Sequence, residues 1–168
     1  EVNLLSAVFK KGREWGFKID NPCIGVSRPT ARPARFAAMT GKDQALLIQG
    51  CARGPAWLPF VVRIALATGM RQGEIRRLHW NHIYDTHLHL PETKNGDTRD
   101  VPLTLAASQI IEEMRQALPR RLDGWVFGNP DLPSEDGGFT QYQVQQAFRR
   151  ASAYAEEHYG VKRCTFHD

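Results

Sequence analysis

The sequence predicts a mainly α-helical domain carrying one small antiparallel β-sheet, an α+β fold. Two observations carry that expectation. Apolar residues recur at helical spacing through most of the chain, and one window between Trp80 and Leu103 changes instead to short alternating stretches around an Asn95-Gly96 turn. With 168 residues, 42% of them hydrophobic, the chain can bury one main core plus a small appendage. No internal repeat or low-complexity segment is present.

The elements follow in order. Val2, Leu5, Val8 and Phe9 share a helical face over residues 2 to 15, with Lys10, Lys11 and Arg13 behind them and Gly16 as the stop. Asn21-Pro22 and the segment Pro29 to Pro33 then interrupt regular structure. Arg28, Arg32 and Arg35 in this stretch suit a linker that lies along phosphates. A domain boundary near residue 33 is expected, giving segments 1–33 and 34–168.

Thr40-Gly41-Lys42-Asp43 reads as a capping box with Asp in the usual Glu position, opening a helix through Leu46, Leu47 and Ile48 to about Arg53. Pro55 is expected to start the most apolar helix, in which Trp57, Leu58, Phe60, Val61, Ile64, Ala65 and Leu66 leave little polar face. Gly69 ends it, and a short helix from about Gln72 to Leu78 follows, placing Arg71 at a tight junction between helices. Strands are expected at Ile83-Tyr84, His87 to Leu90 and Arg99 to Leu103. Leu105, Ile110, Ile111, Met114 and Leu118 restore helical spacing, Trp125 to Phe127 reads as a short strand, and Thr140 caps a last helix running to about His158.

Lys and Arg total 22 against 18 acidic residues, a formal charge of +4 and a pI near 9.2, which favours a polyanionic partner. Cys23, Cys51 and Cys164 are widely spaced, with no C-x-x-C pair, so the sequence encodes neither a disulfide framework nor a thiolate zinc site, and a reducing cytoplasm fits best. The longest apolar stretch, Trp57 to Ala67, contains Arg63 and falls short of the roughly 18 residues that a membrane span needs. No signal peptide is seen, and a start on Glu1 within helical spacing suggests a piece of a longer protein.

Several side chains are candidates for chemistry. An arginine held at a helix junction binds two phosphate oxygens in a fork that lysine cannot reproduce, which singles out Arg71, and Glu74 three residues on is placed to orient it. An ordinary ion pair at a helix start gives the same pattern. Lys94, beside the Asn-Gly turn, would project from a hairpin tip, where an ammonium either donates a proton to a leaving oxygen or simply solubilises the turn. His79, His82, His87 and His89 near Asp85 form a rival cluster, since His87 and His89 share a strand face able to chelate a transition metal. Their spacing is not that of a recognised metal site, so a polar strand face beside DNA or solvent is the expected reading.

Thr68-Gly69-Met70-Arg71-Gln72-Gly73-Glu74, followed by Leu78 and Trp80, then Thr93-Lys94, Val101-Pro102-Leu103 and finally Thr165-Phe166-His167-Asp168, resembles the tyrosine recombinases of the phage integrase family. The resemblance covers most of the chain. It implies that residues 1–33 are the end of a core-binding domain with its linker, and residues 34–168 most of a catalytic domain with the DNA breaking-rejoining fold. It further implies that Arg71 clamps the scissile phosphate, Glu74 supports it, and Lys94 is the general acid for the leaving 5′ hydroxyl. His167 matches the first residue of the family's His-x-x-Arg motif, where the imidazole assists proton transfer.

In such a reaction the partner is double-stranded DNA and the enzyme works as a homo-multimer on it, without metal or other cofactor. The second arginine of the motif and the tyrosine nucleophile lie beyond this point in the family. Tyr142, Tyr154 and Tyr159 all precede His167 and are not assigned that role. The resemblance therefore implies DNA integration or recombination for a parent enzyme of phage, prophage or mobile-element type, with this portion inactive in strand cleavage. The alternative is a non-catalytic DNA-binding module that regulates integration or excision.

Overall fold

The computed structural model describes residues 2–27, 39–91, 98–128 and 138–166. The chain divides into two compact units, Glu1–Phe36 and Ala37–Asp168. In the first, helix α1 (Val2–Glu14) ends before Gly16, whose φ of 89° lies in the left-handed region that glycine tolerates. Asn21 Nδ2 donates to Ser6 Oγ at 2.9 Å, folding the segment after the helix back along it. No residue of α1 is buried, and Leu5 and Val8 of the predicted apolar face are exposed.

The second unit runs α2 (Gly41–Cys51), α3 (Leu58–Thr68), α4 (Gln72–Arg76), a 3₁₀ turn at Trp80–His82, β1 (His87–Leu90), β2 (Arg99–Pro102), α5 (Leu105–Ala117) and α6 (Gln141–Tyr159). Threonine caps three of the helices: Thr40, Thr104 and Thr140 accept from the backbone N–H of Asp43, Ala107 and Gln143, each at 3.2 Å. Gln143 returns the bond through its side chain to the Thr140 N–H at 2.8 Å, completing a capping box. Gly69 and Gly160 close α3 and α6 in the left-handed conformation.

Helix α3 is apolar nearly all round because it serves two cores. Val61 and Ile64 join Met70, Ile75, Leu78, Leu88, Leu90, Val101, Ile110, Ile111 and Met114 in one cluster. Leu58 and Val62 join Leu47, Cys51, Phe148, Ala151 and Ala155 in the other. A helix sandwiched in this way cannot present an ordinary polar face. Gly50 lets α2 approach α6 closely, since a Cβ there would lie 3.0 Å from the Ala151 carbonyl oxygen and 3.1 Å from the Ala155 Cβ. Strands β1 and β2 pair antiparallel, with Leu88 opposite Val101 and Leu90 opposite Arg99. The period of two sends Leu88, Leu90 and Val101 into the core and leaves His87 and His89 on the other face.

The mainly helical fold with a two-stranded antiparallel sheet is as the sequence predicts, with local corrections. The apolar helix begins at Leu58 rather than Pro55, because residues 55–58 form a turn closed by the Leu58 N–H on the Pro55 carbonyl at 2.9 Å. Leu66 is exposed rather than buried. Ile83-Tyr84 makes a single bridge, Ile83 to Leu88, and Trp125 bridges His79 instead of starting a strand. Burial of Val126 and Phe127 gives that segment the apolar look of a strand without a ladder to join. The expected Asn95-Gly96 turn lies outside the described residues.

Candidate functional site

The link from α3 to α4 is anchored on both sides of Arg71. Thr68 Oγ donates to the Ile64 carbonyl at 2.6 Å and accepts the Met70 N–H at 3.3 Å, fixing the chain as it leaves Gly69. Met70 is buried in the larger core and Gln72 is buried with its amide on the Gln141 carbonyl at 3.4 Å. Arg71 between them is extended, at φ −70° and ψ 152°, and forms the N-cap of α4. Its side chain is 69% exposed, so the tight junction expected at Arg71 holds the backbone and leaves the guanidinium at the surface. The backbone is pinned and the cation projects into solvent.

Glu74 organises what surrounds that cation. Its carboxylate, only 7% exposed, accepts the Arg71 N–H on Oε2 at 2.8 Å and Arg71 Nη1 on Oε1 at 3.3 Å. Arg99, the first residue of β2, also donates from Nη2 to Glu74 Oε2 at 2.8 Å. One largely buried carboxylate thus faces two guanidinium groups, which is the compensation that a desolvated anion requires. The three side chains together carry one net positive charge. Sequence reading missed Arg99 because its partner lies 25 residues away and only the strand register brings the two together.

Of the other predicted residues, Lys94, His167, Arg28, Arg32 and Arg35 lie outside the described residues. The chain just before His167 is well anchored. The Cys164 N–H donates to buried Ser152 Oγ at 3.0 Å, and Phe166 packs edge-on against Phe148 with ring centroids 5.3 Å apart. Tyr154 stacks on His158 at 3.9 Å and meets Tyr159 edge-on at 5.8 Å, so its ring serves packing on α6. Burial pushes the Cys51 thiol up to about 12, with Cys164 adding to the effect, and so keeps it protonated and unreactive near neutral pH.

The histidines do not converge as ligands. Among the described residues, no group of three or more His, Cys, Asp or Glu side chains is arranged to hold a metal ion. His89 Nδ1 lies 2.7 Å from Asp100 Oδ1, while His79 Nδ1 accepts the Asn81 N–H at 3.2 Å and its Nε2 reaches the Asp123 carbonyl at 3.0 Å. His82, between His79 and His89, has its pKa lowered below 6.5 by burial and then by those two neighbours. An unfolded His82 takes up its proton first, so this contribution to stability is present above pH 6.5 and is lost as pH falls from there through the lower folded-state value. The thermal midpoint is expected to drop on acidification through this range, and less so in His82→Gln. Equal drops in both proteins would remove His82 as the cause.

The sequence profile of the phage integrase family matches residues 38–168. The shufflon-specific DNA recombinase of Escherichia coli is 39% identical over 130 residues, covering 76% of this chain and 33% of that protein. The integrase of Escherichia phage HK022 is 30% identical over 98 residues, covering 58% of this chain and 27% of that protein. In structure, the lambda integrase (75-356) dimer bound to a COC' core site aligns with a TM-score of 0.70 at 21% identity, covering 99% of this chain and 60% of that one. The lambda integrase catalytic core aligns with a TM-score of 0.58 at 19% identity, covering 77% and 75%. The fold is therefore that of the lambda integrase catalytic core, and the chain belongs to the phage integrase family. It spans about a third of the length of the curated relatives it matches.

Proposed function

We propose that this chain is part of a cytoplasmic site-specific tyrosine recombinase that cuts and rejoins double-stranded DNA during integration or recombination of a phage or mobile element. The observation that carries the reading is Arg71, pinned through its backbone and exposed at its guanidinium, resting on the buried carboxylate of Glu74. A phosphodiester resists attack because it is anionic, so a fixed cationic fork that neutralises the pentacovalent state is what strand exchange needs. Arg71 grips the scissile phosphate, Lys94 protonates the leaving 5′ oxygen, and His167 assists proton transfer. Arg28, Arg32 and Arg35 add phosphate contacts along the linker.

In this reading segment 1–33 belongs to a core-binding domain and segment 34–168 to the catalytic domain. The protein assembles as a multimer on paired sites, as the lambda integrase does in its dimer on a COC' core site and its tetramer on a Holliday junction. A tyrosine supplies the nucleophile by forming a phosphotyrosine, which conserves the bond energy for rejoining. No residue of this chain is assigned that step, so the chain by itself grips DNA without cutting it.

Selection of bound duplexes from a randomised pool tests this reading. A shared sequence is expected to emerge over successive rounds, with no covalent adduct formed on nicked versions of it. A pool that stays random while binding persists would contradict site specificity.

A further inference from the structure

We propose that Arg99 is a positioning residue for Arg71: by neutralising Glu74 it leaves the charge of the Arg71 guanidinium available to a phosphate. The inference rests on the proposed role of Arg71 as the phosphate clamp. Two arginines meet one carboxylate with unequal geometry. Arg99 Nη2 lies 2.8 Å from Glu74 Oε2, whereas Arg71 Nη1 stands 3.3 Å from Oε1 with its side chain 69% exposed. The shorter ion pair is made by the arginine on the strand, and the longer by the arginine at the junction. Without Arg99, the 7% exposed carboxylate would have Arg71 as its remaining cation in this cluster and would draw it into a closed pair. A phosphate would then compete with Glu74 for the same fork.

Arg99 also occupies a particular place in the fold. It opens β2 and pairs with Leu90, the last residue of β1, so in the sequence it follows directly on the segment between the two strands that includes Lys94. One carboxylate therefore fastens the strand leaving the hairpin to the junction that carries Arg71. Strand and junction are tied through Glu74 by one bond from Arg99 and two from Arg71.

A double-mutant cycle on this chain, read by fluorescence anisotropy with a labelled duplex, separates this role from direct contact. Arg99→Ala is expected to weaken binding about fivefold, the upper range for a partly exposed ion pair. In a Glu74→Gln background, where there is no anion to neutralise, the same substitution is expected to change binding less than about twofold. Arg99→Lys, which keeps the charge, is expected to recover most of the loss. Matching thermal midpoints for wild type and Arg99→Ala show that the fold persists.

A fivefold loss in both backgrounds would mean that Arg99 touches DNA itself, and no loss in either would mean that it balances nothing; each overturns the proposal. Failure of the underlying reading has its own signature. Arg71→Ala would then bind as tightly as wild type, or wild type would not bind duplex DNA at all, and the role of Arg99 falls with it.

Discussion

Replacing Arg71 by alanine is expected to weaken the binding of this chain to duplex DNA by about tenfold or more, the loss that follows removal of a charge-assisted hydrogen bond to phosphate. Arg71→Lys is expected to restore little of it. The reason is geometric. The junction holds Arg71 through buried Met70 and Gln72 and aims a planar fork outward, and a lysine at the same point offers one ammonium with no fixed orientation. Stability should scarcely change in either variant, because the side chain is exposed and the bond from the Arg71 N–H to Glu74 uses the backbone. Titration of the three proteins against one labelled duplex, with thermal melts in parallel, checks the expectation. Full affinity in Arg71→Ala, or wild-type affinity in Arg71→Lys, would contradict it.

Ile75→Ala carries the second large effect, on the fold that presents the site. Ile75 is fully buried in the larger core, one residue after Glu74, on a helix of five residues. So short a helix has no stability of its own and is held by the packing of its apolar side chain. Truncation is expected to cost about 2–5 kcal/mol through lost burial and the cavity left behind. Urea unfolding measures this cost directly. Because α4 also carries Glu74, DNA affinity should fall in the same variant even where it remains folded. A loss below about 1 kcal/mol would show that α4 is held by something other than this contact.

Much of this was legible in the sequence for identifiable reasons. Threonines before apolar periodicity marked the starts of α2 and α6, and Gly69 marked the end of α3, because capping and left-handed closure are local events. Alternation in His87 to Leu90 gave β1 its length and its faces. Trp125 to Phe127 misled because burial alone gives an apolar run, whether or not a neighbouring strand exists to pair with it. At the candidate site, the contact between Arg71 and Glu74 was legible from their spacing of three on one helical turn. Arg99 was not, since its bond to Glu74 depends on where antiparallel pairing places the start of β2. The exposure of Arg71 was hidden for a related reason, as spacing locates a residue on the backbone without showing which way its side chain leaves a junction.

The salt dependence of duplex binding tests the central claim most directly, with wild type and Arg71→Ala titrated side by side over a range of ionic strength. Each phosphate neutralised by a cation contributes about one unit of slope in the logarithm of affinity against the logarithm of salt. A steep slope for wild type, shallower by about one for Arg71→Ala, is the predicted result. Parallel slopes, or no binding by wild type even at low salt, would contradict the assignment of Arg71 as the residue that grips the phosphate.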